Sequence, residues 1–129
     1  MERTLEDKIE TQHQLLNAQL SGALRAAEEG LAVDAVDRVN RLARTLELHL
    51  TLEEKHYFPE RRAAQPDLAD EIDRLIEEHG EFRRFLSEAI VKVSEGDASG
   101  ASEILIGFAA IFHQHERREH DLNANPEFG

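Results

Sequence analysis

The sequence contains no cysteine, and that absence removes several chemistries at once. Without thiols there is no disulfide framework, thiolate zinc site or iron–sulfur cluster, so any metal must be held by imidazole and carboxylate. Tryptophan is also missing, and only one Tyr and six Phe occur among 129 residues. The interior must therefore be built mainly from Leu, Ile, Val and Ala, which suits helix packed on helix. Positive charge is scarce, with 15 Lys and Arg against 27 Asp and Glu and a formal net charge of −12. A surface of that sign repels phosphate backbones and anionic lipid headgroups, so neither nucleic acid nor membrane is an expected partner. No apolar run approaches a membrane span, and the opening MERTLEDKIE is charged. Neither anchor nor signal peptide is expected, and a cytoplasmic location is.

Apolar residues recur at helical spacing in four stretches, with little of the strict alternation of a half-buried strand. The first helix runs from a Thr4 cap, with Asp7 three residues on, through Leu5, Ile9, Leu16, Leu20 and Leu24 to a stop at Gly30. A second starts near Asp34 and carries Val36, Val39, Leu42, Leu46, His49 and Glu53 until Pro59 ends it or bends its last turn. The third opens around Pro66 and Asp67 and presents Ile72, Leu75, His79, Phe82, Leu86 and Ile90 up to Gly96. The fourth begins between Asp97 and Ser102 and uses Leu105, Phe108, Phe112 and His115. Loops are expected at Glu29 to Val33, Arg62 to Gln65 and Ser94 to Gly100, all short enough to make successive helices antiparallel neighbours. The expected fold is all-α, an up-down-up-down four-helix bundle over residues 1–122 followed by a polar tail at 123–129.

The chain repeats itself at an offset of 66 residues. His13 maps to His79 (79 − 13 = 66), His49 to His115 and Glu53 to Glu119, while the apolar positions keep the same phase. His13 and His49 are 36 residues apart with their midpoint at Leu31; His79 and His115 are also 36 apart, with their midpoint at Asp97. Both midpoints fall in turns, so each pair is level across its hairpin to within about one turn, roughly 5 Å. Each histidine also lies three or four residues from an apolar neighbour such as Ile9, Leu46, Leu75 or Phe112, and so sits on the inward stripe.

Glu53 and Glu119 follow His49 and His115 by four residues, so each HxxxE unit aims an imidazole and a carboxylate at one place. A single inward His is more often a hydrogen-bonded core residue than a ligand. Six such groups in one layer are different, because burying them without a cation would cost many kcal/mol of desolvation. An all-nitrogen-and-oxygen set with shared carboxylates suits iron or manganese, whereas structural zinc needs only four ligands, often including Cys. Iron is the favoured ion, with manganese and zinc kept open.

These residues resemble the hemerythrin-like, or HHE cation-binding, family. The likeness spans His13 to Glu119 and rests on the order His13, HLTLE at 49–53, EEHGEF around His79, and HERRE at 115–119, with EEKHYFP at 53–59 adding to it. It implies two iron ions, oxo- or hydroxo-bridged, with Glu53 and Glu119 bridging and the four histidines terminal. It also implies dioxygen, hydrogen peroxide or nitric oxide as the small ligand, with no catalytic group beyond the metal ligands. The oxygen-storing members carry a second His where this chain has Arg83 and an Asp where it has His120. Those departures leave open positions and favour peroxide decomposition of a catalase-like kind over reversible oxygen carriage. The alternatives are an iron- or oxygen-responsive sensor, a helical interaction module, and a ferritin-like diiron oxidase, whose Glu-x-x-His pattern is met by Glu10/His13 and Glu53/His56.

Around the six residues, His56 and His120 are extra ligand candidates of lower rank. Tyr57, four residues after Glu53, is placed either to hydrogen-bond a bridging carboxylate or bound oxygen species, or at the rim with its hydroxyl in water. His113 points away from His115 by roughly 200° of helix rotation. Glu54, Glu77, Glu78 and Glu116 read as a solvated acidic face, Asn17 and Thr45 as groups that could orient imidazoles, and Arg83 and Arg84 as partners of nearby carboxylates.

Overall fold

A computed structural model of the chain describes residues 4–124, with side chains to Leu122. Four long helices, α1 (Leu5–Glu28), α2 (Ala32–Leu52), α4 (Ala69–Ser94) and α5 (Ala98–Ala124), form the bundle, and a short α3 (Phe58–Ala64) extends the second. Helix α1 packs on α2 and α5, and α4 packs on the same two, the ring order of an up-down-up-down bundle. No strand occurs among the described residues. The expected tail at 123–129 is only partly visible: α5 runs on to Ala124, and residues 125–129 lie outside the described residues.

The helix boundaries follow from local chemistry. Thr4 and Asp7 close a reciprocal capping box, Asp7 N–H donating to Thr4 Oγ1 at 3.0 Å and Thr4 N–H to Asp7 Oδ2 at 3.3 Å. Both tight hairpins turn on a glycine in the left-handed region, Gly30 at φ 72° and Gly96 at φ 81°, which a side chain would strain. In the first, Leu31 N–H reaches the Ala26 carbonyl and Gly30 N–H the Ala27 carbonyl; in the second, Asp97 reaches Lys92 and Gly96 reaches Val93. The two turns are 66 residues apart (96 − 30), so the repeat extends to the loops.

The middle connection departs from the sequence expectation. Helix α2 does not end at Pro59; it passes through a π-helical turn, Glu53–Tyr57, into α3, and the chain then bends at Gln65 into a 3-10 turn, Pro66–Leu68. Pro59 has no N–H to give the Lys55 carbonyl, and its ring would clash there in a regular α-helix. The wider turn absorbs the conflict, with Phe58 N–H donating to the Glu53 carbonyl. It also lets Glu53, Tyr57 and Phe58 all face inward while His56 faces solvent.

The interior has two apolar clusters. The larger, towards the glycine turns, includes Leu16, Leu20, Val39, Leu42, Leu46, Phe82, Leu86, Leu105, Phe108 and Phe112. The smaller comprises Ile9, Tyr57, Phe58, Leu68, Ile72, Leu75 and Leu122. On α1, α4 and α5 the buried polar residues fall between members of these two clusters, and Glu53 falls between Leu50 and Tyr57 where α2 passes into the π turn, making one polar layer across an otherwise apolar bundle.

Candidate metal centre

The buried polar residues are His13, His49, Glu53, His79, His115 and Glu119, the six that spacing and phase placed in one layer. His13 is the most accessible at 7% exposure, and the rest are at 1% or less. All four imidazoles turn Nε2 towards the bundle axis. Glu53 Oε1 lies 3.5 Å from His49 Nε2 on its own helix and 3.2 Å from His79 Nε2 on α4. Glu119 Oε1 lies 3.1 Å from His115 Nε2 on its own helix and 3.5 Å from His13 Nε2 on α1. Each carboxylate thus spans the two hairpins, and the arrangement is two-fold. Two overlapping nests result, one of His13, His49, Glu53 and Glu119, the other of Glu53, His79 and His115, with ligand atoms within 4.8 Å of one another.

The acceptors and lone pairs in this layer have no protein partners. His13 Nε2, His79 Nε2, His115 Nε2 and all four oxygens of Glu53 and Glu119 are buried without a hydrogen bond. Leaving that many polar atoms unsatisfied costs on the order of 1–3 kcal/mol apiece, and a cation at their focus removes the cost. The donor set fits a pair of nitrogen- and oxygen-loving ions.

The outer nitrogens are held from behind, and this corrects the reading of Glu54 and Glu78 as part of a solvated face, while Glu77 is exposed as expected. His79 Nδ1 is 2.6 Å from Glu54 Oε2, His115 Nδ1 is 2.6 Å from Glu78 Oε1, and His49 Nδ1 is 2.7 Å from Gln12 Oε1. His13 Nδ1 has only looser neighbours, Glu116 at 3.7 Å and Glu10 at 4.0 Å. An Nδ1–H given to an oxygen fixes the tautomer and presents Nε2 as a lone pair to the interior. The expected Arg83 pairing is present: its guanidinium holds Glu47 at 2.9 Å and Glu54 at 3.1 Å. Arg118 pairs with Glu78.

Burial and mutual charge set the protonation of the metal-free layer. Burial pushes the Glu53 carboxyl well above its usual range, and the adjacent Glu119 adds to the effect. For Glu119 burial works the same way, but the close approach of Glu53, His115 and His13 outweighs it and holds the carboxyl well below its usual range. The two carboxyls are thus pushed in opposite directions, as a buried pair in contact must be. Burial, helped by the His13 charge, lowers His49 to about 3. His79 is lowered by burial against the opposing Glu54 hydrogen bond. His13 is raised, because the Glu119 carboxylate 3.5 Å away and the charges of Glu116 and Glu10 overcome burial. Neutral imidazoles are what a metal ion requires.

Other sequence candidates fall outside the cluster. His56 and His120 are exposed and belong to neither nest, the first turned outward by the π turn, the second one residue beyond inward Glu119. Glu10 has a half-exposed side chain, so with His56 gone the ferritin-type pairs do not assemble. Tyr57 is not at the rim: it is buried, its hydroxyl has no partner, and burial raises its pKa. The imidazole of His49 is oriented by Gln12 rather than Thr45, and Asn17 bonds Glu116 and the exposed His113 ring instead of the imidazole of His13. His113 is exposed, as its phase required. Gln12, Glu54 and Glu78 were missed as imidazole partners. The available signal was adjacency, since Gln12, Glu54 and Glu78 each sit beside an inward ligand candidate in sequence.

A helical bundle with a buried His/Glu layer across its middle defines a cation-binding domain. Residues 4–123 match the Hemerythrin HHE cation binding domain, nearly the whole described chain, and the chain belongs to that family. No match was found among curated proteins or among solved structures. No helix among the described residues is long and apolar enough to cross a membrane.

Proposed function

We propose that the chain is a non-haem diiron protein that reacts with a small oxidant, hydrogen peroxide before dioxygen or nitric oxide, and that His13, His49, Glu53, His79, His115 and Glu119 are its ligands. The observation that carries this reading is the set of unpartnered Nε2 and carboxylate oxygens focused on two overlapping nests that share Glu53. Glu53 and Glu119 each lie between histidines of both hairpins, which supports reading them as the carboxylates that would be shared by the ions, with the histidines as the ligands on either side. Imidazole and carboxylate ligation with positions left open is the pattern of oxygen-reactive non-haem iron. Iron so bound supplies the redox capacity for the reaction.

The chain's own residues prepare the site. Gln12, Glu54 and Glu78 lock three imidazoles in the tautomer that leaves Nε2 unprotonated. Phe58 stacks on His79 at 5.8 Å, and Phe82 meets His115 edge-on at 4.8 Å, keeping bulk water from both ends of the layer. Tyr57 adds a buried, unpaired hydroxyl one turn from Glu53, a donor available to a small oxygen-containing ligand. Turnover is favoured over storage because the two positions where oxygen-storing relatives carry ligands are otherwise engaged. Arg83 is committed to Glu47 and Glu54, and His120 is in solvent.

Iron quantitation and an absorption spectrum of aerobically purified protein test the centre; two irons per chain with strong near-ultraviolet absorption are expected. Absence of both metal and absorption overturns the diiron assignment. Oxygen evolution from peroxide, lost in a His79→Ala variant that still folds, is the expected activity. A stable oxy form without turnover overturns the peroxide reading.

A further inference from the structure

The 66-residue repeat makes each group behind the histidines comparable with its counterpart in the other hairpin. Gln12 corresponds to Glu78 (12 + 66), and each meets the Nδ1 of the second histidine of its hairpin, at 2.7 Å and 2.6 Å. One contact is a neutral amide and the other a carboxylate. Glu54, behind His79, corresponds to His120 (54 + 66), which is exposed, so His13 keeps only Glu116 at 3.7 Å and Glu10 at 4.0 Å. Arg83, which braces Glu54, corresponds to Asn17 (83 − 66). Arg118, which braces Glu78, corresponds to Leu52 (118 − 66). All four differences fall the same way.

Both histidines of the second hairpin are backed by short carboxylate contacts fixed by arginine, and those of the first are backed by an amide and by distant carboxylates. The first hairpin is also the accessible side. A surface cleft of about 550 Å³, lined by His13, Asn17, His113, Glu116 and His120 among others, opens beside His13. On the His79 side a smaller cleft of about 290 Å³ lies beside Glu47 and Arg83, but neither His79 nor Glu54 lines it, and Arg83 joins Glu47 to Glu54.

Resting on the diiron reading, we infer that the two ions are held unequally: the ion at His79 and His115 is the tightly bound one, and the ion at His13 and His49 is labile and exchanges through the cleft beside His13. A carboxylate on Nδ1–H raises the basicity of Nε2 and fixes the ring, and loss of such a partner lowers metal affinity by roughly 10–100-fold. Gln12 and Glu78 are therefore positioning residues of opposite strength at the same place in the repeat.

The test loads the full chain anaerobically with ferrous iron, removes the excess and follows release to a chelator. Two phases are expected, one ion leaving fast and one slowly. Gln12→Glu should slow the fast phase by about 10-fold or more and leave the slow one in place. Glu78→Gln should speed the slow phase by about the same factor. Circular dichroism establishes that each variant is folded, and the two substitutions act in opposite directions, so general loosening cannot imitate both. Release of both ions in one phase, or Gln12→Glu acting on the slow ion, overturns the inference. A chain that takes up fewer than two ions while excess ferrous iron is still present overturns the diiron reading beneath it instead.

Discussion

The carboxylate of Glu53, first residue of the π turn that continues α2, reaches across the bundle to within 3.2 Å of Nε2 of His79 on α4, although both groups are fully buried and no hydrogen bond completes the contact. Glu53 also belongs to both nests, so its removal should empty both. The Glu53→Gln variant keeps the shape and removes the charge. Metal analysis should find it largely without iron, while the metal-free variant melts within a few degrees of metal-free wild type, because burial and the adjacent Glu119 already disfavour the charged form of Glu53 there. Retention of two irons would refute the bridging role.

On the proposed reading iron should stabilise the fold strongly, since it would bind the native layer and not the unfolded chain. At a free-metal level 100-fold above the dissociation constant each ion contributes about 2.7 kcal/mol. For a domain of this length 1 kcal/mol is worth roughly 3–5 °C, so loading both ions should raise Tm by about 15 °C or more. Differential scanning calorimetry with and without iron measures it; an unchanged Tm would count against a core metal site.

Tyr57→Phe separates stability from reactivity. The buried hydroxyl has no partner, so its loss should leave the protein as stable or more stable by about 1 kcal/mol, where a bonded tyrosine would show a loss. Peroxide turnover should fall if the hydroxyl serves the bound ligand. Urea unfolding and oxygen evolution read the two effects, and an unaltered rate removes Tyr57 from the site.

Leu42→Ala tests the independence of core and centre. Leu42 is buried in the larger apolar cluster, about two turns from His49, and its truncation should cost about 2–5 kcal/mol. The iron content of the folded fraction should nonetheless remain two per chain. Loss of metal at native-like helicity would show that packing in the larger cluster holds the histidines in place.

Much of this was legible in the chain itself. Helical periodicity, glycine stops at Gly30 and Gly96, and the capping pair Thr4 and Asp7 specified the helices, because each depends on neighbours within about one turn. The level of the six buried ligand candidates followed from their equal distances to the turns. Pro59 was less decisive: a proline after a helical run can end it or force a wider turn, and burial of Tyr57 and Phe58 selected the π turn.

The sequence by itself determined that four helices carry two matching His/HxxxE sets in one inward layer, since spacing and phase are properties of a single chain folded into regular helices. Only the tertiary structure decided what stands behind each imidazole. Gln12 meets His49 and Glu78 meets His115 across 37 residues of chain, while Glu54 meets His79 across 25, contacts set by helix rotation and side-chain direction. A glutamate on a helix reads as solvated until a neighbouring helix brings it a partner. That is why the acidic residues changed meaning, and why the inequality of the two hairpins emerged only from the assembled bundle.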